Sequence, residues 1–105
     1  MIEVVWTRAA EADLQAAYDE LEDGVEEAGT ELLQLIDSAL QLLKEFPEMA
    51  PVYERPLRRL LIRNGRHGLF YDVEPRGIIV QAFADLRRNP DDLRLRFRTI
   101  VSSEG

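Results

Sequence analysis

The sequence predicts an α+β fold in the order β-α-α-β-β-β-α, a helical hairpin packed on one face of a small, mainly antiparallel sheet. Three observations predict it. Two amphipathic helical patterns follow one another across a short break at Asp23-Gly24. After residue 56 the hydrophobic period changes from helical to alternating. Turn-forming sequences then cut the second half into strand-length pieces.

Residues 2–6 (IEVVW) are β-branched and aromatic and read as the first strand. Thr7 follows as an N-cap, because its hydroxyl can take a free amide of the first turn. Ala10, Leu14, Ala17, Tyr18 and Leu21 share one face of a helix over residues 8–22, with Asp13, Glu20 and Glu22 off that face. The second helix shows Val25, Ala28, Leu32, Leu35, Ile36, Ala39, Leu40 and Leu43 on its apolar face. Pro47 stops it, since a residue before proline is pushed out of the helical region. A turn this short between helices requires antiparallel packing.

Residues 47–56 (PEMAPVYERP) hold three of the five prolines and read as a loop. A strand is expected over residues 57–62, and then a turn at Arg63-Asn64-Gly65-Arg66. The next strand spans 68–73 (GLFYDV). Glu74-Pro75-Arg76-Gly77 suits a type I turn, with Pro second and Gly fourth. Residues 78–84 (IIVQAFA) are the most apolar strand and are expected to be central. Asn89-Pro90 supplies a cap and a first-turn proline for a short helix over residues 90–98, with Asp91 and Asp92 where its dipole favours them.

A chain of 105 residues suits one domain, here residues 1–105. It affords one core but no deep enclosed pocket, so a site is expected to be shallow or shared with a partner. The chain has no cysteine and a single histidine, His67. Disulfides, thiolate zinc, iron–sulfur clusters, a cysteine nucleophile and a multi-histidine metal centre are excluded, and no cofactor or metal is expected. P-loop, GxSxG, GxGxxG, HExxH and EF-hand patterns are missing. The N-terminus lacks a signal-peptide pattern and no apolar run reaches membrane length, which points to the cytoplasm.

Net charge is −7, against a generic nucleic-acid binder, but its distribution is uneven. Residues 1–51 hold 13 acidic and 2 basic residues, and residues 52–105 hold 7 acidic residues and 11 arginines. The arginine-rich half suggests an anionic partner, because guanidinium forks carboxylate and phosphate. Alternation puts Arg59 and Arg63 on one side of their strand, with Leu60 and Ile62 on the other. A cluster with Arg87 on that face would bind an acidic tail; the competing reading is an edge strand protected by charge. His67 reads as a structural or solvated turn residue rather than an acid/base group. Tyr71 is expected in the core with its hydroxyl bonded at the rim, and Trp6 and Phe83 in the core as well. Glu20, Glu22, Asp23, Glu26, Glu27 and Glu31 read as solvated helix faces.

The chain resembles the ParE/RelE-type toxins of bacterial type II toxin–antitoxin systems, also called the plasmid stabilisation family. The resemblance lies in Trp6-Thr7 followed by Ala9-Ala10 and Asp13-Leu14, and in the exit Leu42-Leu43-Lys44-Glu45-Phe46-Pro47. It continues through Arg59-Leu60, Gly68-Leu69-Phe70-Tyr71-Asp72-Val73 and Ala82-Phe83-Ala84-Asp85-Leu86-Arg87-Arg88-Asn89-Pro90. It spans about residues 4 to 92, and the ParE branch fits better than the RelE branch. It implies a toxin inhibited by a cognate antitoxin. A ParE-like member would bind a macromolecular target, DNA gyrase, with no established catalytic residue. A RelE-like member would cut mRNA on the ribosome, with Arg59, Arg63 and Arg87 on the scissile phosphate. A third reading is a non-toxic relative serving as an interaction module, and a homodimer is a further candidate assembly. Where the family often has His before its paired arginines, this chain has Asp85 or Ala84, and no Tyr or His follows Tyr71. These departures favour binding over RNA cleavage. The match to the family's paired arginines adds Arg87 and Arg88, so the expected target- or antitoxin-binding residues are Arg59, Arg63, Arg66, Arg87 and Arg88.

Overall fold

The computed structural model describes residues 2–88 and 94–98. Its order is β1 (Glu3–Trp6), α1 (Arg8–Gly24), α2 (Ala28–Glu45), β2 (Val52–Glu54), β3 (Leu57–Ile62), β4 (His67–Glu74) and β5 (Gly77–Asp85). Residues 94–98 are helical, which agrees with the expected last helix. Its expected start, with the Asn89-Pro90 cap, Asp91 and Asp92, lies outside the described residues.

The sheet has five strands rather than four, in the order β1-β5-β4-β3-β2. The extra strand, β2, sits inside the stretch expected to be a loop. Its three residues are all exposed and pair antiparallel with β3 at Val52↔Arg58 and Glu54↔Leu57, across an irregularity. A strand so short, between Pro51 and Pro56, shows no alternation to detect. The meander β3-β4-β5 is antiparallel, and β1 returns parallel to β5. The most apolar strand, β5, is internal, but the middle position belongs to β4.

Thr7 caps α1 as expected, its hydroxyl accepting the Ala10 amide at 3.1 Å. The helix continues through Gly24, and α2 begins only at Ala28. Glu22 corrects the solvated-face reading: its carboxylate accepts the Glu27 and Thr30 amides at 3.1 and 3.3 Å and so caps α2. The hairpin is tight at Gly29, where a Cβ would lie 2.6 Å from the Tyr18 ring. Val25 and Leu35, expected on the buried face, are exposed.

Both helices cover one face of the sheet. Leu32, Ile36 and Leu43 pack there on Leu69, Tyr71, Ile78, Val80 and Phe83, with Trp6 partly buried against them. Tyr71 donates its hydroxyl to the Pro47 carbonyl at 2.7 Å, as its rim position requires. Burial raises its pKa. The opposite face holds a smaller core of Leu57, Phe70, Ala82 and Phe97. Among the described residues no helix is long and apolar enough to cross a membrane.

A one-residue bulge on β5 sets the phase of this arrangement. Tyr71 pairs with Val80, but Phe70 pairs with Ala82, so Gln81 is the additional residue. Side chains alternate across a strand, so the bulge returns Phe83 to the helix side after Ile78 and Val80.

Candidate functional site

At one end of the sheet, under α1, lies an open cleft of about 490 Å³. One wall is helical, with Asp13, Ala17, Glu20 and Leu21 of α1 and then Val25 and Ala28. The other is the sheet end: Arg63 and Arg66 of the β3–β4 turn, His67 of β4, Phe83 and Asp85 of β5, and Arg88 beyond it.

The turn delivers Arg63 to this cleft. Arg63, Asn64 and Gly65 have φ of 55°, 55° and 85°. The left-handed region is unfavourable for arginine, which costs on the order of 1–2 kcal/mol there. It also ends the alternation of β3. Leu60 and Ile62 face the helices as expected, but Arg63 joins them on that side and parts from Arg59. The expected pairing of Arg59 with Arg63 on one face is therefore corrected: Arg63 belongs to the turn, where strand parity no longer applies. One guanidinium nitrogen of Arg63 is buried with no hydrogen-bond partner among the described residues.

His67 is the first residue of β4, not a solvated turn residue. It is 4% exposed and stacks on Phe83, with ring centroids 5.1 Å apart and planes within 8°. Its Nδ1 is also buried without a partner among the described residues. Its cross-strand neighbour is Asp85, placed there by the bulge. Burial holds the His67 pKa below its ordinary 6.5; Arg63 and Arg66 push the same way, against the opposing charges of Asp85 and Glu20. The ring is therefore neutral at pH 7. For Asp85, burial works upward, but the Arg87 amide at 2.9 Å and the charges of His67, Arg87 and Arg66 leave the pKa lowered on balance.

Three of the five expected arginines meet in the cleft: Arg63, Arg66 and Arg88. Arg88 reaches across to Glu20, and both side chains stay more than half exposed, so the reading of that glutamate as solvated holds. Arg87 instead turns outward, 62% exposed and 3.8 Å from Asp85. Arg59 lies on the far face, 5.1 Å from the ring centre of Tyr53. The neighbouring Arg58 is spent on the loop after α2, donating to the Glu48 and Ala50 carbonyls at 3.1 and 2.7 Å. The arginines thus do not gather on a sheet face opposite the acidic helices; their main group uses an acidic helix as its second wall. Among the described residues no three His, Asp or Glu side chains converge as a metal site would need.

A family model described as "ParE toxin of type II toxin-antitoxin system, parDE" matches residues 4–90. The chain belongs to the ParE toxin family. It is similar to a solved chain of the chromosomal ParDE toxin–antitoxin system from P. aeruginosa, with 25% identity and a TM-score of 0.68, covering 81% of this chain and 96% of that one. No curated protein matches it. This ParE-family chain shares the α+β fold that the resemblance implied, and its cleft lies within the matched span.

Two further polar residues escaped the sequence reading. Asp13 accepts the Phe83 amide at 2.9 Å on the stretch of β5 that β1 does not reach. Arg96 donates to Asp13 at 2.8 Å and to the Gln81 carbonyl, at the bulge, at 3.0 Å. The one available signal was Asp13 within the family-like Asp13-Leu14 pair. Nothing in the sequence links it to Arg96.

Proposed function

We propose that this chain acts as a single toxin domain that arrests growth by binding a macromolecular target, DNA gyrase foremost, and that a cognate antitoxin neutralises it. The family match over residues 4–90 is the observation that carries this reading. The cleft supports binding over catalysis. Its one histidine is neutral, stacked and 4% exposed, so it is poorly placed to exchange protons with a substrate. The three arginines that a RelE-like nuclease would need on one phosphate are divided: Arg59 on the far face, Arg87 outside, Arg63 within.

Induced expression of the chain alone is expected to stop growth, with filamentation and a DNA-damage response, and co-expression of the adjacent gene product is expected to restore it. Rapid loss of translation with cleaved mRNA would replace this reading by the nuclease. Normal growth with abundant folded protein would replace it by a non-toxic interaction module.

A further inference from the structure

We propose that the cleft between α1 and the β3–β4 turn is a carboxylate site that takes an aspartate or glutamate side chain of a peptide, together with an apolar neighbour. The inference deepens the reading above and rests on it for the source of the peptide, the antitoxin; the ligand chemistry rests on the cleft alone.

Two polar atoms carry the assignment. Arg63 and His67 line the same cleft, and a guanidinium nitrogen of the first and Nδ1 of the second are buried without a hydrogen-bond partner among the described residues. Buried donors without acceptors are costly, and native structures keep few of them. One carboxylate would match the pair, accepting from the guanidinium with one oxygen and, with the neutral ring in its Nδ1–H tautomer, from Nδ1–H with the other. The other charges do not replace it: Arg88 is engaged by Glu20, and Asp85 is held by the Arg87 amide.

The walls choose carboxylate over phosphate. Asp13, Glu20 and Asp85 stand around the cleft, so a dianion or a polyanionic strand meets three carboxylates. The remaining lining includes Leu21, Val25 and Phe83, a surface for an apolar side chain beside the acid. A peptide with one acidic and one apolar residue satisfies both features, whereas a nucleic-acid backbone brings a row of anions and no apolar side chain beside them.

His67 is the only histidine, so its ring resonances in the full-length chain report the site without ambiguity. The probe is acetyl-Leu-Glu-amide, compared with acetyl-Leu-Gln-amide and inorganic phosphate. The Glu peptide is expected to shift the ring signals saturably and to raise the titration midpoint of the ring; the Gln peptide is expected to do neither. Arg63→Asn keeps a residue that accepts left-handed backbone and is expected to weaken binding by about tenfold or more. Equal binding of the Gln peptide, tighter binding of phosphate, or unchanged affinity in Arg63→Asn would overturn the assignment, and the first two comparisons need no variant. The antitoxin is tested apart. If the adjacent gene product fails to bind but the Glu peptide does, the carboxylate site stands and the antitoxin reading falls. If the product binds while the His67 signals stay unmoved, the site falls and the antitoxin reading stands.

Discussion

The two faces of the sheet carry arginine in opposite ways. On the face away from α1 and α2, Arg59 rests over Tyr53, whose ring meets Phe70 and Phe97 edge-on at 5.1 and 5.4 Å. On the helix face, Arg63 ends in a cleft with a buried nitrogen that none of the described residues accepts. The first arrangement is closed and holds the fold together. The second leaves hydrogen-bonding capacity unused. Two arginines four residues apart thus serve different ends, and the left-handed turn separates them.

Breaking the closed face is expected to have the largest effect. Phe97 is fully buried, so Phe97→Ala should lower stability by about 3–5 kcal/mol in urea unfolding. The His67 ring signals of the folded fraction should stay in place if the two faces are independent. Asp13 ties the faces together through Arg96. Asp13→Ala leaves both Arg96 and the Phe83 amide without that acceptor, and should cost about 1–3 kcal/mol by the same measurement. The open face should respond with the opposite sign. Arg63→Asn relieves left-handed strain and a buried unpaired donor, and is expected to raise the unfolding free energy by about 1 kcal/mol while weakening neutralisation by the adjacent gene product. Arg59→Ala loses its contact with Tyr53, about 0.5–1 kcal/mol, and should leave neutralisation intact. Equal loss of neutralisation from Arg59→Ala would erase the distinction between the faces.

The smallest expected effect is on pH dependence. The folded state depresses the pKa of His67, so below about 6.5 the unfolded ring binds protons that the folded ring refuses. Stability therefore falls as pH drops from 6.5 toward the folded pKa and is recovered above 6.5. His67→Phe should remove this slope in unfolding measured from pH 7 to 5. The lowered pKa of Asp85 acts in the same direction in a separate window, near and below 3.8.

The helices and long strands were legible because each shows its period over many residues. Leu57–Ile62 was read to the residue, and Thr7 was recognised from its chemistry alone. The site was less legible because it depends on local exceptions. Carrying the register of Glu74↔Gly77 onward without interruption would set Ala84 opposite His67 and turn Phe83 to the wrong face. One bulged residue, Gln81, sets Asp85 there instead, and no residue type announces it. Likewise, Asn64-Gly65 marked the turn, but the left-handed state begins at Arg63, a residue that rarely adopts it. The roles of Glu22 and Asp13 as acceptors of distant amides depend on tertiary geometry, which charge patterning on a helix does not reveal.

The parallel return of β1 onto β5 also sets an order in time. Glu3–Trp6 pairs with residues 77–80, so that seam closes only once β5 is in place. The helical wall of the cleft is translated dozens of residues before its arginine wall, a delay on the order of seconds at cellular elongation rates. The groove is therefore complete only once the end of β5, with Asp85, and Arg88 beyond it have been made.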